Sequence, residues 1–241
     1  MAGVLVIIPT YNERGNLETL ARDIFKLDIP NLKILVVDDN SPDGTGELAA
    51  RLKSQYPIEV RHRPAKMGLG RAYREAFEEI LSSTPERRPD FVIHMDADLS
   101  HDPRVISVML KKIRECDLVV GSRYMAGGTI KNWNIMRRLL SRLANFYARM
   151  LLQVPYRDLT SGYKCYRLST LENFDLADLS SIGYSFLVET TYQAHKQGAK
   201  ILEIPITFIE RKSGVSKLDL QIIIESFIKI LKLAFKKKSK L

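Results

Sequence analysis

Short β-branched and aliphatic runs recur along the first half of the chain, each separated from the next by a stretch with helical spacing. This alternation limits the fold more than any other feature. VLVII (4–8), KILVVD (33–38), IEVRH (58–62), FVIHM (91–95) and LVVGS (118–122) read as strands. Residues 15–27, 44–54, 70–82 and 103–114 read as helices, with Pro103 suited to a first helical turn. Such alternation predicts an α/β fold with a mostly parallel sheet flanked by helices on both faces. In these sheets ligands bind beyond the carboxyl ends of the strands. The polar motifs lie at those ends: PTYNE (9–13), DDNSPDGTG (38–46), DADLS (96–100) and GSRY (121–124). Acidic groups gathered at three strand ends repel one another, and a cation or a cationic ligand set would neutralise them.

Past residue 125 the pattern changes. WNIMRRLLSRLANFYARMLLQV (133–154) is amphipathic, with Arg138, Arg142 and Arg149 on a stripe opposite Ile135, Leu139, Leu143 and Phe146. A turn-rich stretch, YRDLTSGYKCYR (156–167), precedes a helix near 184–197 and an extended piece, KILEIPITFIER (200–211). LDLQIIIESFIKILKLAFKKKSKL (218–241) places Gln221, Glu225, Lys229, Lys232 and Lys236 on one stripe among apolar residues. A membrane span needs about 18 or more apolar residues with few charges; here charges recur every few positions. The segment fits an interfacial amphipathic helix with a basic tail, or a helix packed on its own domain with solvated lysines. The expected division is one large domain over 1–217, which includes the amphipathic helix of about 133–154, and a basic C-terminal helix over 218–241.

Charge follows the same division. Residues 1–120 carry 17 Lys+Arg against 19 Asp+Glu, whereas residues 121–241 carry 20 against 9. The second half is built to meet something anionic, and nucleic acid, membrane surface and phosphorylated substrate all stay open on charge alone. Cys116 and Cys165 have no metal-type spacing and read as two buried thiols of a reducing compartment. The apolar run Val4–Ile8 is too short for a secretory signal and stops at Pro9.

Asp96 and Asp98 end a buried strand two residues apart. Alternation along a strand puts i and i+2 on one side, where both carboxylates can converge on a hard cation such as Mg²⁺ or Mn²⁺. No G-x-G-x-x-G follows the first strand and no P-loop is present, which argues against a dinucleotide enzyme and an NTPase. GLG (68–70) reads as a helix-starting turn.

PTYNE, DDNSPDGTG, KMGLGRAY (66–73), MDADLSHDP (95–103) and GSRY occur in this order. With RR (137–138), SGYKCYR (161–167) and ERKSGVSK (210–217), they resemble the family-2 glycosyltransferases of the GT-A fold, and among these the dolichol-phosphate mannose synthases. The resemblance implies a GT-A catalytic domain with C-terminal amphipathic interface helices. It implies a metal-dependent, inverting transfer of mannose from GDP-mannose to a polyprenyl (dolichyl) phosphate. Pro9, Tyr11, Glu13, Asp38, Asp39, Lys66 and Ala97 would contact the nucleotide sugar. Asp96 and Asp98 would hold Mg²⁺ or Mn²⁺ on the diphosphate, which Arg211 and Lys217 would cover. Arg123, with Arg137 or Arg138, would clamp the acceptor phosphate, so that Asp98, Arg123 and Arg138 carry the catalytic roles. Many relatives have a glutamine as a further metal ligand where this chain has Ser100. RRLLS (137–141) resembles a site for basic-directed kinases, set against a plain helical Ser141. The implied setting is peripheral contact at the cytoplasmic face of a membrane, with a small membrane subunit left open and no nucleic acid as partner. Two rival readings are a UDP-glucose-dependent transferase acting on a similar lipid, and an inactive homologue that binds nucleotide or anionic lipid. His62, His94, His101 and His195 are expected to be structural.

Overall fold

The first strand, β1 (Val4–Thr10), is apolar because it runs through the middle of a sheet covered on both sides. A computed structural model describes residues 2–181, 183–210 and 220–238, with side chains of 220–225 and 236–238 outside that description. β1 pairs in parallel with β2 (Leu32–Asp38) and β4 (Phe91–His94), and β3 (Ile58–His62) extends the sheet beyond β2. Helices α1 (Arg14–Phe25), α2 (Thr45–Leu52), α3 (Leu69–Ser82) and α4 (Val105–Lys112) connect these strands and lead into β5 (Leu118–Ser122). Successive β1 residues face opposite layers. Val4, Val6 and Ile8 pack with Leu17, Leu20 and Ile24 of α1, while Leu5 and Ile7 pack with Tyr73, Phe77 and Ile80 of α3.

The second half completes the sheet. The elements are β6 (Thr129–Lys131), α5 (Ile135–Leu152), β7 (Lys164–Arg167), α6 (Leu168–Glu172), α7 (Ser185–Lys196), β8 (Ile201–Pro205), β9 (Thr207–Ile209) and α8 (Leu220–Lys238). The order of the seven-stranded sheet is β3-β2-β1-β4-β7-β5-β8, and β6 pairs separately with β9. The stretch 156–167, expected to be turn-rich, contains β7, which inserts antiparallel between β4 and β5. Every other strand of the large sheet runs one way, as expected. Cys116 and Cys165 are buried free thiols, their pKa raised by burial.

Helices α5 and α8 are where the chain departs most from a doubly covered sheet. α5 starts at Asn134, whose side chain accepts the Arg137 N–H at 2.8 Å. It buries only Asn145, Ala148 and Leu152, while Ile135, Leu139, Leu143, Phe146 and Met150 face outward. The described part of α8 packs on α5 and α7. Ile230 joins Ala148, Leu152, Val188 and Tyr192 in one cluster, and the Phe227 ring lies 4.4 Å from that of Tyr147. Lys229 reaches the buried Glu189 carboxylate of α7 at 2.8 Å. Among the described residues no helix is long and apolar enough to cross a membrane.

Candidate active site

Because β2, β1 and β4 are neighbours, the three acidic motifs that follow them come together. After each strand one residue adopts left-handed backbone: Asn12 (φ 59°), Asn40 (φ 56°) and Leu99 (φ 61°). Asparagine tolerates this region, whereas a leucine there costs on the order of 1 kcal/mol. The turn at Leu99 lets the Ser100 N–H reach back to Asp98 Oδ1 at 3.1 Å. The geometry that joins the two carboxylates therefore differs from the expectation. β4 ends at His94, so Asp96 and Asp98 are brought together by a bent loop, not by strand alternation.

Both line one cavity of about 170 Å³. His101, Arg123, Trp133, Arg137, Gly162 and Phe208 surround its polar end. Leu140, Ala144 and Tyr147 of α5, Val188 of α7, and Phe227 and Ile230 of α8 form its apolar flank. His101, unlike the other histidines, belongs to this site. Its Nδ1 accepts the Asp96 backbone N–H at 3.2 Å and its ring stacks on Tyr163. Burial pushes its pKa down to about 4 against the opposing charge of Asp98, so the imidazole is neutral near pH 7. His94 is stacked on Tyr73 in the core, and His195 hydrogen-bonds Tyr156.

The carboxylate pair suits an oxygen-preferring cation. No cluster of three or more His, Cys, Asp or Glu forms among the described residues, so water and substrate oxygens would complete the shell, as Mg²⁺ and Mn²⁺ allow. Room beside Asp96 is kept by Gly162, where a Cβ would stand 3.3–3.4 Å from both carboxylate oxygens. The Ser100 hydroxyl is buried without a hydrogen-bond partner among the described residues.

Arg123 is held rigidly at the cavity wall. Its Nε and Nη2 donate to the two oxygens of the fully buried Asp158 at 2.8 and 2.7 Å, and Nη2 also donates to Thr160. Burial disfavours the guanidinium charge, but Asp158 outweighs it and raises the pKa further. Arg137 lies over the Trp133 ring at 4.2 Å and pairs with Glu210. Arg138 turns away from this cavity. It donates to the Ile130 carbonyl at 2.7 Å and shares a second hollow with Arg123, Tyr124 and Arg142. Ser141 lines the main cavity, and its hydroxyl accepts from Tyr124 at 2.7 Å.

The residues expected at the nucleotide gather on the β1–β2 side. Asp38 is buried and accepts from Thr10 Oγ1 (2.8 Å), Ser41 Oγ (2.6 Å) and Ser41 N–H (3.0 Å). Asp39 pairs with Arg63 and accepts the Met67 and Gly68 N–H groups, each at 3.1 Å. Asp39 thereby anchors the GLG turn, with Gly68 at φ 89°, and the exposed Lys66 just before it lies 4.4 Å from the Tyr11 ring centroid. Glu13 precedes α1 and accepts from Asn16 at 2.8 Å. Pro9 is half-buried and Ala97 is buried. Arg211 and Lys217 lie outside the described residues.

Sequence reasoning did not single out Asp158, Trp133, Gly162, Phe208 or the α8 flank. Asp158 precedes the SGYKCYR motif by only a few positions and Trp133 is the chain's one tryptophan, but neither residue type carries a spacing signal.

The family model for Glycosyl transferase family 2 matches residues 5–174, which includes every strand-end motif above. The chain belongs to this family. Two curated relatives match nearly its whole length. It is 44% identical over 229 residues to a polyprenol monophosphomannose synthase of Mycolicibacterium smegmatis, spanning 94% of this chain and 84% of that one. It is 42% identical to an undecaprenyl-phosphate mannosyltransferase of Micrococcus luteus, spanning 94% of this chain and 92% of that one. Among solved structures, glucosyl-3-phosphoglycerate synthase from Mycobacterium tuberculosis in complex with phosphoglyceric acid superposes with a TM-score of 0.70 at 16% identity. That match covers 96% of this chain and 79% of the other. A mannosyltransferase from Pyrobaculum calidifontis in complex with GDP-Man and Mn²⁺ superposes with a TM-score of 0.62 at 18% identity, covering 100% and 65%. These likenesses support the GT-A type of fold expected for the family.

Proposed function

We propose that this family-2 glycosyltransferase is an inverting mannosyltransferase that moves mannose from GDP-mannose to a polyprenyl (dolichyl) phosphate, with Mg²⁺ or Mn²⁺, in peripheral contact with the cytoplasmic face of a membrane. The observation that carries this reading is the two-ended cavity. Carboxylates and arginines stand at one end, and an apolar flank from three helices leads away from it. A lipid phosphate needs both. The mannosyl transfer named for the two curated relatives supports the same reading.

A phosphate monoester has its second pKa near 6, so the acceptor oxygen is already anionic at neutral pH and attacks without a general base. His101 fits this, since its Nδ1 is engaged by the Asp96 N–H and the ring braces the loop. Arg123, fixed by Asp158, and Arg137 on Trp133 would bind the acceptor phosphate and offset its repulsion by the donor diphosphate. Arg138 would act from the other side of Arg123. Tyr11 and Lys66 would meet the nucleotide, and Arg211 and Lys217 would cover the diphosphate. Asp96 and Asp98 would hold the cation, which supplies Lewis-acid stabilisation of the leaving diphosphate when bound. The acceptor approaches from the arginine side, opposite the leaving group, and the anomeric centre inverts.

The test is incubation of the purified protein with labelled GDP-mannose or UDP-glucose, a polyprenyl phosphate and Mn²⁺, followed by extraction of the lipid phase. Label from GDP-mannose in lipid is expected. Label from UDP-glucose alone would replace the donor, and no label from either would overturn the transferase reading.

A further inference from the structure

Arg142 and Arg149 belong to the basic stripe of α5, yet the site above uses neither. With Arg157 they line a hollow of about 370 Å³ whose other walls are Tyr124, Asn145 and Phe146. The uncharged polar groups of this wall are already satisfied. The Tyr124 hydroxyl donates to Ser141, and the Asn145 amide donates to Ser141 and Thr160 and accepts the Leu159 and Thr160 N–H groups. The neighbouring acids are committed too. Asp158 holds Arg123, and the two Glu203 oxygens accept the backbone N–H groups of Arg157 and Asp158. Arg149 Nε is buried without a hydrogen-bond partner among the described residues. Guanidiniums gathered around one hollow, with no carboxylate in its lining among the described residues, suit a phosphate group, because their planar fork pairs two N–H donors with two phosphate oxygens.

The position of the hollow names the source of that phosphate. Phe146, which lines it, is 61% exposed and is part of the outward apolar stripe of Leu139, Leu143 and Met150. The arginine stripe, expected opposite the apolar one, lies beside it, since Arg142, Arg149 and Phe146 line one hollow. Exposed apolar side chains flanked by arginines along one helix match a bilayer surface, with the chains in the acyl boundary and the guanidiniums level with the headgroups.

We propose that Arg142, Arg149 and Arg157 bind the phosphate of an anionic membrane phospholipid, at a site separate from the acceptor phosphate at Arg123 and Arg137. This rests on the proposed function only for the presence of a membrane. Holding a headgroup there would set α5 against the lipid with the adjoining cavity open to it.

The full chain is mixed with vesicles of phosphatidylcholine alone, or with added phosphatidylglycerol, without nucleotide sugar, and sedimented. Binding to the anionic vesicles is expected. Each of Arg142→Gln, Arg149→Gln and Arg157→Gln should weaken it about fivefold, the equivalent of about 1 kcal/mol per basic residue near such a surface. Mannose transfer to a short-chain acceptor in detergent should match wild type in all three. Equal binding to both vesicle types, or a triple variant that binds as wild type does, overturns the proposal. Inorganic phosphate at millimolar concentration that shifts the Arg149 Nε–H NMR signal and displaces the vesicles would make free phosphate the ligand and overturn the lipid assignment. Arginine-dependent vesicle binding by a protein that transfers no sugar would support this site while overturning the mannosyltransferase reading.

Discussion

Arg123 and Asp158 are joined at three points: the guanidinium donates to both carboxylate oxygens, and the Arg123 backbone N–H donates to one of them at 2.9 Å. Side chain and main chain of the cavity wall are thus fixed by one buried acid. Breaking such a pair from one side leaves an uncompensated buried charge and costs about 3–5 kcal/mol. Asp158→Ala should lower the urea midpoint by that equivalent. Arg123→Lys keeps the charge but loses the fork, so it should fold and yet lose about a hundredfold in kcat/KM for lipid-linked transfer. A lysine variant with wild-type transfer would show that Arg123 acts only as a charge.

Gly162 and Asp96 offer a finer test of the metal reading. Gly162 does not have positive φ, so Gly162→Ala carries no left-handed backbone penalty, but its Cβ would press the Asp96 oxygens at 3.3–3.4 Å. Mn²⁺ affinity, followed by electron paramagnetic resonance in the presence of GDP, should fall about tenfold with little change in thermal midpoint. Asp98→Ala should abolish that binding and reduce transfer by a hundredfold or more, and EDTA should do the same reversibly to wild type. Unaltered Mn²⁺ binding in Asp98→Ala would remove this residue from the metal site.

These positions differ in how far the sequence reveals them. The strands before the acidic motifs were legible because a doubly covered parallel strand must be apolar throughout, and the turns after them because Asn, Asp and Gly mark the backbone they adopt. β7 was hidden, since periodicity does not distinguish a short antiparallel insertion from the turns around it. Asp96 and Asp98 were expected to meet by strand alternation, whereas the fold brings them to one cavity through a bend at Leu99, a residue type that seldom turns left-handed. Asp158 could not be paired with Arg123 beforehand, because the contact crosses 35 positions and depends on how β5 and the 156–163 loop meet. Nor does an amphipathic pattern say which face a helix buries, which is why the outward apolar stripe of α5 became visible only in the fold.

Lys229 and Glu189 make the docking of α8 testable. Glu189 is buried, and Lys229 is the cation that reaches it from α8. Lys229→Met leaves that carboxylate without its ammonium and should loosen α8 from α5 and α7. Because Phe227 and Ile230 of α8 line only the apolar flank, KM for the polyprenyl phosphate should rise several-fold while KM for GDP-mannose stays constant. Adding Glu189→Gln to Lys229→Met should recover part of the loss, since the uncompensated charge is then gone. Equal changes in both KM values would show that α8 supports the whole domain and not the acceptor end.

Lys164 is fully buried in β7, where its ammonium donates to the Leu187 carbonyl and to the hydroxyls of Thr190 and Thr191. Burial pushes its pKa down to about 7, with the charge of Asp158 opposing the shift. His94, its cross-strand partner, is itself buried, its pKa driven well below the ordinary value. In the unfolded chain a lysine titrates near 10.4. Between about pH 7 and pH 10, therefore, the unfolded state holds a proton that the folded state has released, and stability rises with pH. Below about pH 7 both states are charged and the full cost of burying the ammonium is present. Lys164→Met removes this proton linkage. The stability of wild type relative to the variant, from urea unfolding at pH 6 to 9, should be flat below about 7 and then climb, with a limiting slope of about 1.4 kcal/mol per pH unit. A difference that stays flat to pH 9 would mean that the ammonium remains charged inside the fold, its three oxygen acceptors outweighing the loss of water.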